Sequence, residues 1–207
     1  MTDIKLNNAD ALPLMEAFYT IQGEGENTGK PAYFIRLAGC DVGCVWCDVK
    51  DSWDVTKHPL VSVDEIVEQA KTYPSKNIVI TGGEPLQNNL DALCESLNQH
   101  GFNLWLETSG AYSLSGKFDW ICVSPKKYMS PLPELLSIAH ELKVVVFNKS
   151  DFDWAEKHAE QVNDSCKLFL QPEWDKKDFL LPLIVDYVKQ NPKWNISLQT
   201  HKYINLP

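Results

Sequence analysis

The chain has no cluster of basic residues: Lys126-Lys127 and Lys176-Lys177 are only pairs, set against a formal net charge of -9 over 207 residues. A surface that acidic repels phosphate backbones and argues against a nucleic-acid reader. No apolar run approaches the ~20 residues a membrane span needs. The segment from Met1 to Phe18 mixes Asp3, Lys5, Asn7, Asn8 and Asp10 among its apolar residues, so it lacks the basic start and apolar core of a signal peptide. These absences predict a cytoplasmic protein without membrane or nucleic-acid partners. Repeats, low-complexity stretches and linkers are missing as well, and a single domain over residues 1–207 is expected. With 44% hydrophobic and 23% charged residues, the composition is that of a globular chain with a real core.

What the sequence does have is an alternation. Tyr33 to Leu37 is apolar and β-rich, and Ser62 with Glu65 three residues on reads as a capping box opening a helix. Val63, Ile66, Val67 and Ala70 fall on one face of that helix. Asn77 to Thr81 is a continuous apolar run suited to a strand buried on both sides. Leu90, Leu93, Cys94 and Leu97 stripe the next helix, with Gly101 as its stop signal. Further strands are predicted at Asn103 to Thr108, Trp120 to Val123, Leu142 to Phe147, Lys167 to Leu170 and Asn195 to Leu198, with helices near Trp154 to Val162 and Phe179 to Gln190. Strands alternating with helices imply an α/β fold with a parallel sheet and right-handed crossovers. A partial barrel or a strongly twisted open sheet fits this count, because a full eightfold barrel usually needs ~250 residues.

Ligands of such folds bind at the carboxyl ends of the strands. Those positions hold Cys40, Cys44 and Cys47, then Gly82-Gly83-Glu84-Pro85, Glu107-Thr108-Ser109-Gly110, Ser124-Pro125-Lys126, Gln171-Pro172 and Gln199-Thr200-His201. Each alone reads as a plain turn; together on one rim they make a site. The cysteines are the most specific signal. Disulfides are not expected in a reducing compartment, and Cys94, Cys122 and Cys166 read as buried core residues. Three thiolates on one tight loop suit an iron–sulfur cluster with one iron left open. Structural zinc is the alternative, but it wants four closed ligands, and only His58 lies near enough in sequence to serve as the fourth.

The spacing Cys40-x3-Cys44-x2-Cys47, with Trp46 before the last cysteine, resembles the radical S-adenosylmethionine superfamily, and Gly82 to Pro85 resembles the segment that superfamily uses for the methionine amino group. Phe18 to Gly25 and Gln199 to Pro207 narrow the resemblance to the 7-carboxy-7-deazaguanine synthase family, and the matched motifs span nearly the whole chain. Another small radical S-adenosylmethionine enzyme, such as a glycyl-radical activase, would share the cluster loop but not the two terminal motifs.

The resemblance implies a partial parallel β/α barrel and a carbon–nitrogen lyase. The activity would be ring contraction of 6-carboxy-5,6,7,8-tetrahydropterin to 7-carboxy-7-deazaguanine with loss of ammonia, a step toward queuosine and other 7-deazapurines. It implies a [4Fe–4S] cluster on Cys40, Cys44 and Cys47, S-adenosylmethionine and Mg²⁺ as cofactors, a flavodoxin or ferredoxin as electron donor, and a homodimer. Substrate contacts map onto Ile21, Gln22, Gly23, Glu24, Arg36, Thr81, His201 and the terminal carboxylate of Pro207. Taken alone, Arg36 would read as a solvent-facing strand residue and His201 as a core histidine. S-adenosylmethionine contacts map onto Val45, Trp46, Gly83, Ser124, Pro125, Lys126, Gln171, Pro172, Glu173 and Trp174, with Glu107 and Ser109 in the same cavity. One position departs from the family pattern: Val49 stands where a hydroxyl would hold Mg²⁺. The ion would then bind through substrate and water alone, recruit Asp48 or Asp51, or be dispensable.

Overall fold

The computed structural model describes residues 10–207, so the first half of the segment read for a leader, residues 1–9, lies outside the described residues. Among the described residues nine strands form one sheet: β1 (Ala11–Ile21), β2 (Pro31–Leu37), β3 (Leu60–Ser62), β4 (Asn77–Gly82), β5 (Asn103–Thr108), β6 (Trp120–Val123), β7 (Glu141–Val146), β8 (Lys167–Pro172) and β9 (Trp194–Ile196). Their order is β3-β1-β2-β4-β5-β6-β7-β8-β9. The pairs from β2 through β9 are all parallel, while β1 runs antiparallel to both β2 and β3. The outer strands β3 and β9 do not pair, so the sheet is an open, partial barrel.

All seven expected strands are present, β5 and β6 with the expected bounds and the others with ends shifted by one or two residues, and they are the parallel ones. The sequence reading missed β1 and β3, which extend the sheet on its antiparallel side. The helices α1 (Val63–Lys71), α2 (Asp91–Gln99), α3 (Pro133–Ser137), α4 (Ser150–Ala159), α5 (Lys177–Gln190) and α6 (Thr200–Tyr203) complete the fold. The α1 cap is half of the expected box: Ser62 Oγ accepts from Glu65 N at 3.2 Å, and no return bond from the Glu65 side chain joins it among the described residues. Among the described residues no helix is long and apolar enough to cross a membrane.

Strand side chains alternate between two faces. Tyr33, Ile35, Ile78, Ile80, Leu104, Leu106, Leu142 and Val144 face the helices and form the main core with Val63, Ile66, Val67, Leu93 and Leu97. The opposite face, inside the curve of the sheet, carries a small apolar cluster of Ala32, Val79 and Trp105 low in the barrel. Above it the inward positions turn polar, with Arg36, Thr81, Glu107, Lys143 and Gln171. Cys94 and Cys122 are buried as expected, whereas Cys166 is half-buried. Cys122 corrects the core reading in kind: its thiol faces the Glu141 carboxylate inside the barrel, at 3.6 Å.

Candidate active site

A cavity of about 460 Å³ opens at the carboxyl ends of the parallel strands. Cys40, Cys44 and Cys47 line it, as do Ile21, Gln22, Gly23, Glu24, Arg36, Thr81, His201 and Pro207. Val45, Trp46, Gly83, Ser124, Lys126 and the run from Gln171 to Trp174 line it as well. Glu107 and Ser109 also line it. Pro125 is the exception: it is buried and lies outside the lining, between Ser124 and Lys126, which both reach the cavity.

The cysteine loop follows β2 and is tied at both ends. Gly39 N donates to Ser52 O at 2.7 Å, Cys40 N to Trp53 O at 3.3 Å and Cys47 N to Cys44 O at 3.1 Å. The turn after β4 packs directly against it, with Gly83 N bonded to Leu37 O and Glu84 N to Gly39 O. A Cβ on Gly83 would run into Gly39 O and the Cys40 Cβ. The glycine is therefore demanded by the close approach of two backbones.

Glu84 is 1% exposed and fully engaged. It accepts from Thr108 Oγ1 (2.6 Å), Ser109 N (2.7 Å), Ser109 Oγ (2.5 Å) and Leu86 N (3.1 Å). The carboxylate thus ties the rim of β4 to the rim of β5.

Whether the loop suits a metal group can be tested on its own thiols. Burial pushes the Cys40 and Cys44 thiols up, and Lys126 beside Cys44 opposes that rise. Such thiols lose their protons on coordination. His58 does not join them: it is half-buried, and its Nε2 bonds Asp51 O at 2.8 Å. Among the described residues no three His, Cys, Asp or Glu side chains are drawn together as for a single ion. A cluster instead binds its thiolates on separate irons and spaces them around a larger group. Three cysteines on one cavity wall, without a fourth partner among the described residues, match that donor set.

The opposite side of the cavity is built by the hairpin between β1 and β2. Its neck closes where Gln22 N bonds Lys30 O and Gly29 N bonds Gln22 O. The segment from Gln22 to Asn27 then straps across the open barrel. Gln22 Nε2 reaches Glu107 Oε1 on β5 at 3.3 Å, and Gly25 N reaches Ser197 Oγ beyond β9 at 2.9 Å. Glu26 N donates to Glu141 Oε2 on β7 at 3.2 Å. Thr200 N and Thr200 Oγ1 both donate to Gly23 O, bringing the His201 ring so close that a Cβ on Gly23 would strike it.

Lys143, a residue the sequence reading missed, stands where these elements meet. Its side chain is 4% exposed and its ammonium donates to Glu24 Oε2 at 2.7 Å and Glu107 Oε2 at 2.9 Å. The signal was available as a lone charge inside the run from Leu142 to Phe147. Burial disfavours the charged form of Glu24, but Lys143, with help from Gln199, outweighs it and holds the carboxyl at about 2. Burial lowers the Lys143 value, and Cys122 and the surrounding carboxylates more than reverse that, so the ammonium stays charged. Burial also lowers His201 below the usual histidine value despite Glu24 nearby, favouring the neutral ring.

Arg36, the only arginine in the chain, faces the cavity rather than bulk solvent. Its Nε is held by Glu16 at 2.7 Å, and it sits in register with Thr81 on β4. On the cysteine side, the Lys126 ammonium lies 5.1 Å from the Trp46 ring centre and donates to Ser124 Oγ at 2.7 Å. Glu173 is more structural than expected: its carboxylate accepts from Asp175 N and Lys176 N and caps the turn that carries Trp174.

Residues 34–145 match the family model described as the radical SAM superfamily. The chain is 55% identical to a 7-carboxy-7-deazaguanine synthase of Flavobacterium psychrophilum, over 99% of this chain and 97% of that protein. It is 46% identical to one from Synechocystis, over 94% and 93%. A crystal structure of QueE from Escherichia coli superposes with a TM-score of 0.83 at 32% identity, covering 92% of this chain and 95% of the other.

Proposed function

This chain belongs to the 7-carboxy-7-deazaguanine synthase family of the radical SAM superfamily, and from that premise we propose that it makes 7-carboxy-7-deazaguanine from 6-carboxy-5,6,7,8-tetrahydropterin with release of ammonia. The observation that carries the reading is that one cavity joins the three cysteines to a polar floor of Gln22, Glu24, Glu107 and Lys143. When bound, the [4Fe–4S] cluster and S-adenosylmethionine supply a 5'-deoxyadenosyl radical. The chain's own residues bind, orient and shield.

Cys40, Cys44 and Cys47 would hold the cluster. Trp46, Gly83, Ser124, Lys126 and the run from Gln171 to Trp174 would surround S-adenosylmethionine, and burial of Lys126 lowers its proton affinity beside that site. On the floor, the Glu24 carboxylate accepts from the donor edge of the pterin. Arg36, with only its Nε engaged among the described residues, directs the rest of its fork at the substrate carboxylate. His201 packs over Gly23 and contributes a neutral ring. Thr81 and Ile21 close the sides.

For Mg²⁺, the favoured ligand is Asp48. Asp48 and Val49 both line the cavity, and Asp51 does not. The Asp48 carboxylate, now paired with Lys202 at 2.8 Å, is an oxygen donor next to the position where Val49 offers none. One domain, a homodimer and a flavodoxin or ferredoxin donor complete the proposal, by family likeness.

The test is conversion. Anaerobically reconstituted protein given the carboxytetrahydropterin, S-adenosylmethionine and a low-potential reductant should yield 7-carboxy-7-deazaguanine and ammonia. Cleavage of S-adenosylmethionine without that product would overturn the assignment.

A further inference from the structure

The cavity floor carries a charge pattern that the strap residues alone do not explain. Lys143 is inward-facing in the middle of β7, nearly sealed from solvent, yet it lines the cavity. An ammonium has three donors. Two are spent on Glu24 and Glu107, at 2.7 and 2.9 Å. The far oxygens of those carboxylates are steadied in turn, Glu24 Oε1 by Gln199 Nε2 at 3.0 Å and Glu107 Oε1 by Gln22 Nε2 at 3.3 Å. Every flanking group is fixed, so the third ammonium hydrogen is a directed donor beside a directed acceptor.

A 2-amino-4-oxopyrimidine ring presents the complementary edge, with an acceptor at O4 and donors at N3 and the 2-amino group. We propose that Lys143 donates to O4 of the bound ring while Glu24 accepts from N3–H and the 2-amino group, Glu107 holding the ammonium in place. Lys143 is thus the residue that selects the 4-oxo form. The inference rests on the pterin reading of this cavity and deepens it. A 4-amino ring would turn N–H groups toward the ammonium and leave its third donor unpaired, which a site built around hydrogen bonds penalises strongly.

The experiment compares two fluorescent ligands, pterin-6-carboxylate and 2,4-diaminopteridine-6-carboxylate, titrated into anaerobic protein holding its cluster and S-adenosylmethionine. Measurement near neutral pH keeps the diamino ring uncharged and the N3–H of the 4-oxo ligand in place. The wild-type protein should prefer the 4-oxo ligand by roughly tenfold to a hundredfold. In Lys143→Met that preference should collapse or reverse, and in Lys143→Gln, which keeps a neutral donor, part of it should survive. A general loosening of the site would weaken both ligands together and leave the ratio unmoved, so an unchanged ratio in Lys143→Met overturns the role. If Lys143→Met does not fold, Glu107→Gln/Lys143→Met, with one fewer stranded charge, must show the same collapse. Failure of the wild-type protein to bind either ligand would instead sink the pterin reading itself.

Discussion

Glu24 is half-buried and Glu141 buried, and their carboxyls shift in opposite directions although Lys143 acts on both. Burial works against the Glu24 anion, yet Lys143 holds its carboxyl at about 2 instead of 4.5. Its stabilisation is therefore complete above the unfolded value and is lost as pH falls from about 4.5 to about 2. Glu141 is the reverse: burial outweighs Lys143 and raises its carboxyl from 4.5 to about 7. That contribution is complete below about 4.5 and is lost as pH rises through about 7. Chemical denaturation across pH should show Glu24→Gln flattening the acid limb by roughly 2–3 kcal/mol. Glu141→Gln should flatten the slope between the two Glu141 values and gain stability over wild type on the alkaline side. Glu84 makes a third expectation. Its four bonds come from donors only, so Glu84→Gln turns an amide NH₂ against hydroxyl or amide hydrogens. A loss of about 3 kcal/mol is expected in the same assay, and a loss below ~0.5 kcal/mol would show that the rim tie is not structural.

At the level of elements, the strap from Gln22 to Asn27 does what a closing strand would do in a full barrel. It joins β5, β7 and the end of β9 through side-chain and backbone bonds instead of a ladder. Gly23→Ala tests this, because the new Cβ meets the His201 ring and the His201 backbone nitrogen. The substrate KM should rise on the order of tenfold, as expected of overpacking worth 1–3 kcal/mol. Iron and sulfide content should hold, since the cluster loop is anchored elsewhere; loss of iron would contradict the separation of floor and cluster wall. The parallel strands were legible because apolar runs such as Asn77 to Thr81 are bounded by turns. β1 was not: Pro13 and Glu16 interrupt its pattern, and its burial alternates poorly. A lone three-residue strand such as β3 has too little sequence to carry a period at all.

At the scale of the whole molecule, an open sheet places two chemistries on facing walls of one cavity. The cluster wall was readable because cysteine spacing is a local pattern. The floor was readable only in part. Glu24 lay inside a recognisable motif, but the Lys143 partnership joins residues 119 apart in the chain. Only the curvature of the sheet brings β7 under the β1–β2 hairpin. Pro125 shows the complementary limit, since a matched segment marks a turn without saying which of its side chains looks inward. The arrangement of the two walls is tested most directly by iron-edge anomalous diffraction from a crystal of the protein with cluster, S-adenosylmethionine and the carboxytetrahydropterin. The expected map has iron peaks bounded by Cys40, Cys44 and Cys47 and the pyrimidine edge of the pterin against Glu24 and Lys143. A pterin seated outside this cavity, or anomalous signal at the zinc edge in place of iron, would contradict the account.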